Sequence, residues 1–266
     1  MLAKRIIPVM LARGKKLVKG EGFNGWRNVG HVLQSAKVHA ARGVDELMIL
    51  DIAATKENRG PDLNVISELA DGCYIPITVG GGVKTVHDID RLLRAGADKV
   101  AICSAAWGDD IIARAADRFG CQAITVVIDY EWMTHEEEPD KSYPLIKVHN
   151  NTQIVKKPMN DGYTAIRVTE AIELMQALGA GEILLQHAQA DGTLCGYDCE
   201  LLEALRPLLS VPVVIAGGCS GYEDMHKAIK AGADGVAAGA LYQFTDATPK
   251  GAAQYLAENG VSVRLQ

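Results

Sequence analysis

Two segments of this chain repeat one another at a fixed spacing. VDELMILDI and then IPITVGGGVKTVHDIDRLLRAGADKVAICSAA, within residues 44 to 106, return as AGEILLQHA and then VPVVIAGGCSGYEDMHKAIKAGADGVAAGALY. Glu46 matches Glu182, Pro76 matches Pro212, Gly82 matches Gly218 and Gly96 matches Gly232, and each pair is 136 residues apart. Each copy reads as strand, helix, short apolar strand, Gly-rich turn, amphipathic helix, Gly-Ala-Asp and apolar strand, the order of parallel βαβ units. Two such copies predict an α/β fold: a single (β/α)8 TIM barrel over residues 1–266, made of two fused half-barrels of about 1–118 and 119–266.

The length of 266 residues suits one such barrel without a second domain. With 48% hydrophobic and 23% charged residues, the composition is that of a globular enzyme, and no run approaches the roughly 18 apolar residues of a membrane span. A net charge of −6 gives no global attraction for nucleic acid or acidic membranes, so an anionic ligand must be held by local donors. The opening MLAKRIIPVM turns strand-like too soon for a signal peptide, and a cytoplasmic location is expected. Six cysteines at irregular spacings, without a C-x-x-C pair, argue against zinc and disulfides and read mostly as small buried hydrophobes. The seven histidines form no ligand cluster, so neither a metal nor a cofactor is expected.

Eight apolar runs are placed as strands, at about 5–11, 46–51, 75–80, 98–103, 123–129, 181–187, 211–216 and 234–239. Helical patterns fill the gaps. After the third run, Thr85 reads as an N-cap with Asp88 three residues on, Val86, Ile89, Leu92 and Leu93 make an apolar stripe, and Gly96 stops the helix. Two segments break the regularity: a Gly- and Lys-rich loop at 12–30, and a polar insertion at 130–165 in which LIKVHNNTQIVKK reads as a hairpin around Asn150-Asn151. In a barrel both follow strands on the C-terminal face, where active sites are built.

Gly80-Gly81-Gly82 closes the third strand and Gly217-Gly218 the seventh, and one unit later strands end in Cys103-Ser104 and Gly239-Ala240. Glycines there let backbone N–H groups approach an anion, and a following helix points its positive end at it. A tight turn alone would also use Gly-Gly, but the duplication predicts two phosphate sites across one mouth and a ligand of bisphosphate span. Asp51 and Asp129 end apolar strands and Asp191 lies in QADGTLCGYD beside Gly192. Such carboxylates serve as acids or bases, or cap the following turn. Asp129 and Asp191 are the catalytic candidates, Asp51 a substrate contact, and Lys19 a flexible cation reaching over the mouth for a phosphate.

MLAKRII, LVKG, VDELMILDI, ITVGGGVKT, GADKV, GAGEILL, ADGTLCGYD and GVSVRL together resemble the HisF family, the cyclase subunit of imidazole glycerol phosphate synthase, over nearly the whole chain. The resemblance implies a barrel that binds a long bisphosphate at its C-terminal face. It also implies a glutaminase (HisH-like) subunit docked at the N-terminal face, from which ammonia crosses the barrel. Arg5, Glu46, Lys99 and Glu182 match the four charges that gate ammonia entry in the family.

Two positions depart from the family pattern. An essential aspartate that ends the first strand and works as an acid–base pair with the one on strand five is Leu11 here, while Asp129 is kept; the asparagine ending strand four is Cys103. Loss of one member of a cooperating pair costs several powers of ten. The pattern resembles HisF paralogues that use channelled ammonia to turn an acetamido into an acetamidino group during surface-polysaccharide synthesis, and KENRGPD and GGGVKTV resemble them as well. The competing expectations are a true imidazole glycerol phosphate cyclase, a non-catalytic ammonia conduit, and an isomerase.

Overall fold

The computed structural model describes residues 2–108, 110–135, 138–149 and 163–265. In chain order, β1 (Arg5–Arg13) runs into β2 (Lys16–Glu21) and β3 (Asn24–His31), followed by α1 (Val32–Ala41), β4 (Leu47–Asp51), α2 (Leu63–Gly72), β5 (Ile77–Gly80), α3 (Val86–Arg94), β6 (Lys99–Ile102) and α4 (Ile111–Phe119). The second part comprises β7 (Ile124–His135), β8 (Glu138–His149), β9 (Tyr163–Arg167), α5 (Val168–Ala177), β10 (Glu182–His187), α6 (Cys199–Leu205), β11 (Val213–Ala216), α7 (Tyr222–Lys230), β12 (Gly235–Ala238), α8 (Ala240–Phe244) and α9 (Pro249–Glu258).

Among these, β10, β11, β12, β1, β4, β5, β6 and β7 pair in parallel in that order, and β7 pairs back onto β10, so the barrel closes. Each of the eight apolar runs read from the sequence is one of these strands. Closure leaves no free edge, which removes the exposed backbone that an open sheet presents. Successive residues alternate between two apolar layers. Ile6, Ile49, Val79, Val126 and Ile183 pack outward against the helices. Ile7, Met48, Ala101, Val127, Leu184 and Val214 fill the barrel interior. Each fully buried Ile or Leu contributes on the order of 2 kcal/mol through removal from water.

The repeat survives in three dimensions. Asp98 accepts a hydrogen bond from the Ile77 amide at 2.8 Å, and Asp234 accepts one from the Val213 amide at 3.2 Å, each carboxylate pinning the start of the preceding strand. α3 begins with the expected cap: the Thr85 hydroxyl accepts from the Asp88 amide at 3.1 Å and the Asp88 carboxylate accepts back from the Thr85 amide at 3.0 Å.

Two expectations need correction. Residues 12–30 are largely not a loop, because β1 overshoots the barrel rim and its exposed backbone needs partners. Leu11 pairs with Val18 and Arg13 with Lys16, and β2 pairs in turn with β3. The cysteines are all free, but only Cys73 and Cys219 are buried, while Cys121 and Cys195 are exposed. In the 130–165 segment β7 runs on past the barrel and pairs antiparallel with β8, which pairs with β9. The first arm of the expected hairpin falls on β8; its Asn150-Asn151 turn and second arm lie outside the described residues. No helix among the described residues is long and apolar enough to cross a membrane.

Candidate active site

At the N-terminal end of the barrel the first inward layer is charged. Arg5 binds Glu46 at 2.8 Å and also Glu182, and Lys99 reaches Glu46 at 2.9 Å and Glu182 at 3.2 Å. The hydroxyls of Thr78 and Thr125 donate to Glu46 and Glu182 from above. Burial alone would push Glu46 up, but Lys99, the Thr78 hydroxyl and Arg5 together hold it below the usual carboxylate range. The four candidate gate residues thus form one neutral ring of paired charges. Thr78 and Thr125 were missed in the sequence, although both fall on the inward phase of their strands.

Above the apolar second layer the barrel opens into a cavity of about 330 Å³ at the C-terminal mouth. Its floor and sides are the next inward residues: Val9 and Leu11 on β1, Leu50 on β4, Cys103 after β6, Asp129 on β7, Gln186 on β10, Ala216 on β11 and Ala237 on β12. β1 and β7 are four strands apart in both directions around the ring, so Leu11 faces Asp129 across the mouth. Leu11 is buried within the interior apolar cluster with Val9, Val18 and Val127. One side of the mouth is therefore apolar, and the other carries Cys103, Asp129 and Gln186 side by side.

The three candidate carboxylates differ in their surroundings. Asp51 accepts from the Ala53 and Ala54 amides at 3.0 and 3.2 Å and pairs with Arg59 at 2.8 Å, so it caps its own turn and holds the loop beyond it. Asp191 is bound to Lys19 at 2.8 Å through both oxygens. Lys19, expected as a flexible cation, is instead buried, with 3% of its surface exposed. The Gly22 amide also donates to the Asp191 carbonyl at 2.8 Å, so the β2–β3 hairpin is latched across the mouth. From that hairpin Phe23 and Trp26 cover the cavity. Phe23 and Leu194, both at the mouth, hold φ of 60° and 57°, a strain of about 1–3 kcal/mol each that concentrates at functional sites.

Asp129 has no cationic partner among the described residues. Its contact is the Cys103 thiol, which donates to Oδ2 at 3.2 Å. Burial raises its pKa to about 6, with the thiol opposing the rise and Asp191 adding to it. Burial, then the adjoining Asp129 charge, holds the Cys103 thiol well above its ordinary range, so it stays a neutral donor.

The glycine turns lie on opposite sides of this mouth. Gly81 after β5 and Gly217 after β11 have φ of 108° and 92°. A Cβ on Gly81 would sit 2.3 Å from the Asp51 carbonyl, and one on Gly217 would sit 2.4 Å from the His187 carbonyl. The two obstacles are themselves 136 residues apart, and only glycine meets both conditions. Short helical turns start at Ser104 and Ala240, neither with a side-chain cap, leaving N–H groups open toward the cavity. Gly81, Ser104, Gly192, Gly217, Gly218, Gly239 and Ala240 all line it, and the Lys19 amine lies beside Gly239. Gly82 does not; it packs beneath the Arg59 and Gly60 backbone. Among the described residues, no three His, Cys, Asp or Glu side chains converge as a metal site.

Comparison with known proteins bears on this arrangement. The profile of the family described as Histidine biosynthesis protein matches residues 5–247. The imidazole glycerol phosphate synthase subunit HisF of Dictyoglomus thermophilum is 40% identical over 266 residues, the whole of both chains. The chain belongs to the HisF family. The subunit of the same name from Dictyoglomus turgidum is 39% identical over the full length of both chains, and that of Corynebacterium diphtheriae 35% identical over 264 residues, 99% of each. Gln186, Phe23, Trp26 and Leu194 also line the mouth and were not among the candidates read from the sequence. Gln186 was legible in principle, because Glu182, Leu184 and Gln186 share one phase of a strand. The other three reach the mouth through the hairpin and the loop after β10, which no periodicity reveals.

Proposed function

We propose that this chain is the ammonia-using synthase subunit of a glutamine amidotransferase pair. Ammonia released by a glutaminase partner at the N-terminal face enters through the Arg5, Glu46, Lys99 and Glu182 ring. It rises through the apolar interior and attacks a phosphorylated substrate held at the mouth, with Asp129 as the acid. The partnered charge ring supports an entry gate, since desolvated charges without a role are costly to keep. Tyr74 and Leu2, 95% and 93% exposed in the segments entering β5 and β1, support a docking surface at that end.

The observation that carries the reaction type is Leu11 facing Asp129. A leucine transfers no proton, so the mouth is suited to chemistry that needs one acid. Converting the acetamido group of a phosphorylated sugar into an acetamidino group fits: ammonia adds to the amide carbonyl carbon, the C–O bond breaks as the acid protonates the oxygen, and the oxygen leaves as water. A second reading, the cyclase step of imidazole glycerol phosphate synthesis, is favoured by full-length identity to proteins of that name. An ammonia-dependent assay of the purified chain on the imidazole glycerol phosphate precursor separates them. The first reading expects turnover at least roughly a thousandfold below an ordinary cyclase, raised by Leu11→Asp and abolished by Asp129→Asn. Turnover at ordinary cyclase rates would return the chain to histidine biosynthesis.

A further inference from the structure

Gln186 is 7% exposed and its side chain lines the mouth cavity. In the β10–β7 ladder it stands directly opposite Asp129, so the carboxamide and the carboxyl share one wall. Among the other buried polar side chains Lys19 is engaged with Asp191, Thr78 with Glu46, Thr125 with Glu182 and Asp45 with the Ile6 amide, while Nδ1 of His39, which does not line the cavity, is unpaired. The Gln186 carboxamide has no hydrogen-bond partner among the described residues. Its amide atoms are not sealed in the core but open onto the cavity, where they offer donor and acceptor to a ligand.

We propose that Gln186 contacts the substrate and reads a carboxamide, making the mouth selective for a substrate that carries an N-acyl group. This rests on the ammonia-using reading above and adds the group recognised. A carboxamide presents one acceptor and two donors, and its matched counterpart is another amide, which returns an N–H to the acceptor and a C=O to a donor. A phosphate oxygen uses only the donors, and a hydroxyl satisfies less of the set. The facing wall agrees: Leu11 and Leu50 opposite, with Ala216 and Ala237 between, give an acyl methyl an apolar surface. Asp129, on the adjoining strand, then lies beside the carbonyl oxygen of the group that Gln186 holds.

The test is calorimetric binding of N-acetylglucosamine 1-phosphate and glucose 1-phosphate, which differ in one acetamido group, to the wild-type chain, Gln186→Met and Gln186→Glu. The wild type is expected to favour the acetamido probe by about tenfold or more, the scale of one to two hydrogen bonds to a buried polar group. Gln186→Met, similar in volume, should erase the preference and leave glucose 1-phosphate affinity within about twofold. Gln186→Glu, which loses the donors and adds a charge that both phosphates meet alike, should weaken the acetamido probe more than glucose 1-phosphate, and it keeps the test open if the Met variant misfolds. A wild type without the preference, or variants that retain it, overturns the proposal. Neither glutamine nor ammonia is present, so failure here is separable from failure of the ammonia reading, which the turnover assay decides.

Discussion

Cys103 donates its thiol hydrogen to Oδ2 of Asp129 across 3.2 Å, in a pocket whose opposite wall is Leu11. The bond joins Cys103, one of the two positions that depart from the family pattern, to Asp129, which is kept, while Leu11, the other departure, faces them. It keeps one oxygen of Asp129 occupied and leaves the other to face the cavity.

The first prediction concerns this pair. The thiol stabilises the carboxylate, so Cys103→Ala should move the Asp129 titration above about 6, whereas Cys103→Ser should not raise it. Carboxyl carbon NMR reads this directly, and an unmoved titration in the alanine variant would remove the pair's role. In the wild type, Cys103 should resist iodoacetamide at pH 8 while the exposed Cys121 and Cys195 react. The stability sign follows from the raised value. Between 3.8 and about 6 the native state binds more protons than the unfolded chain, so stability falls as pH rises through that window and the full cost remains above it. Asp129→Asn should therefore stabilise on the order of 2 kcal/mol at pH 8 and little at pH 4, as measured by urea denaturation.

The charge ring makes a second prediction. Lys99→Ala leaves Glu46 and Glu182 sharing Arg5 alone, which should destabilise the fold by up to about 3 kcal/mol. It should also change the ratio of glutamine-driven to ammonia-driven turnover in the complex. Because the folded pKa of Glu46 is depressed, its contribution is present above the ordinary value of 4.5 and is lost as pH falls through the lower folded value. An unchanged ratio in a folded variant would rule out the gate.

The latch supplies a third. Asp191→Ala strands the buried Lys19 ammonium, so the β2–β3 hairpin should loosen. Hydrogen exchange at the Gly22 amide, which donates to the Asp191 backbone, should accelerate by at least about tenfold, the change expected when an opening cost falls by ~1.4 kcal/mol. Exchange at the wild-type rate would show that the hairpin is held by other contacts.

The fourth prediction separates conformation from composition at the glycine turns. Gly217→Ala must place a Cβ against the His187 carbonyl at a φ of 92°, and should cost more than about 2 kcal/mol and abolish one of two phosphate-binding events. Gly221→Ala, extended and with open space around it, should cost under about 1 kcal/mol and leave phosphate binding intact. Equal effects of the two would remove the anion role of the turn.

The chain's own order of residues determined the eight barrel strands, the Thr85–Asp88 cap, and the matched turns at Gly81 and Gly217, because each follows from a local period, a local cap or an internal repeat. It also sufficed to place Asp129 on the fifth barrel strand, though not to show that this strand runs on past it to His135, and the family resemblance marked Leu11 as standing where a carboxylate was expected. Only the tertiary structure decided what these groups meet. Lys19 and Asp191 are 172 residues apart and become a buried pair because a hairpin folds back over the mouth. Asp51, indistinguishable from Asp129 as the end of an apolar strand, is neutralised by Arg59, whereas Asp129 meets a thiol and a hydrocarbon wall. Gln186 stands beside Asp129 through barrel closure, a pairing between strands more than fifty residues apart. Periodicity dictates which way a side chain points; its partners, and hence its charge and chemistry, are set by long-range packing that no local pattern encodes.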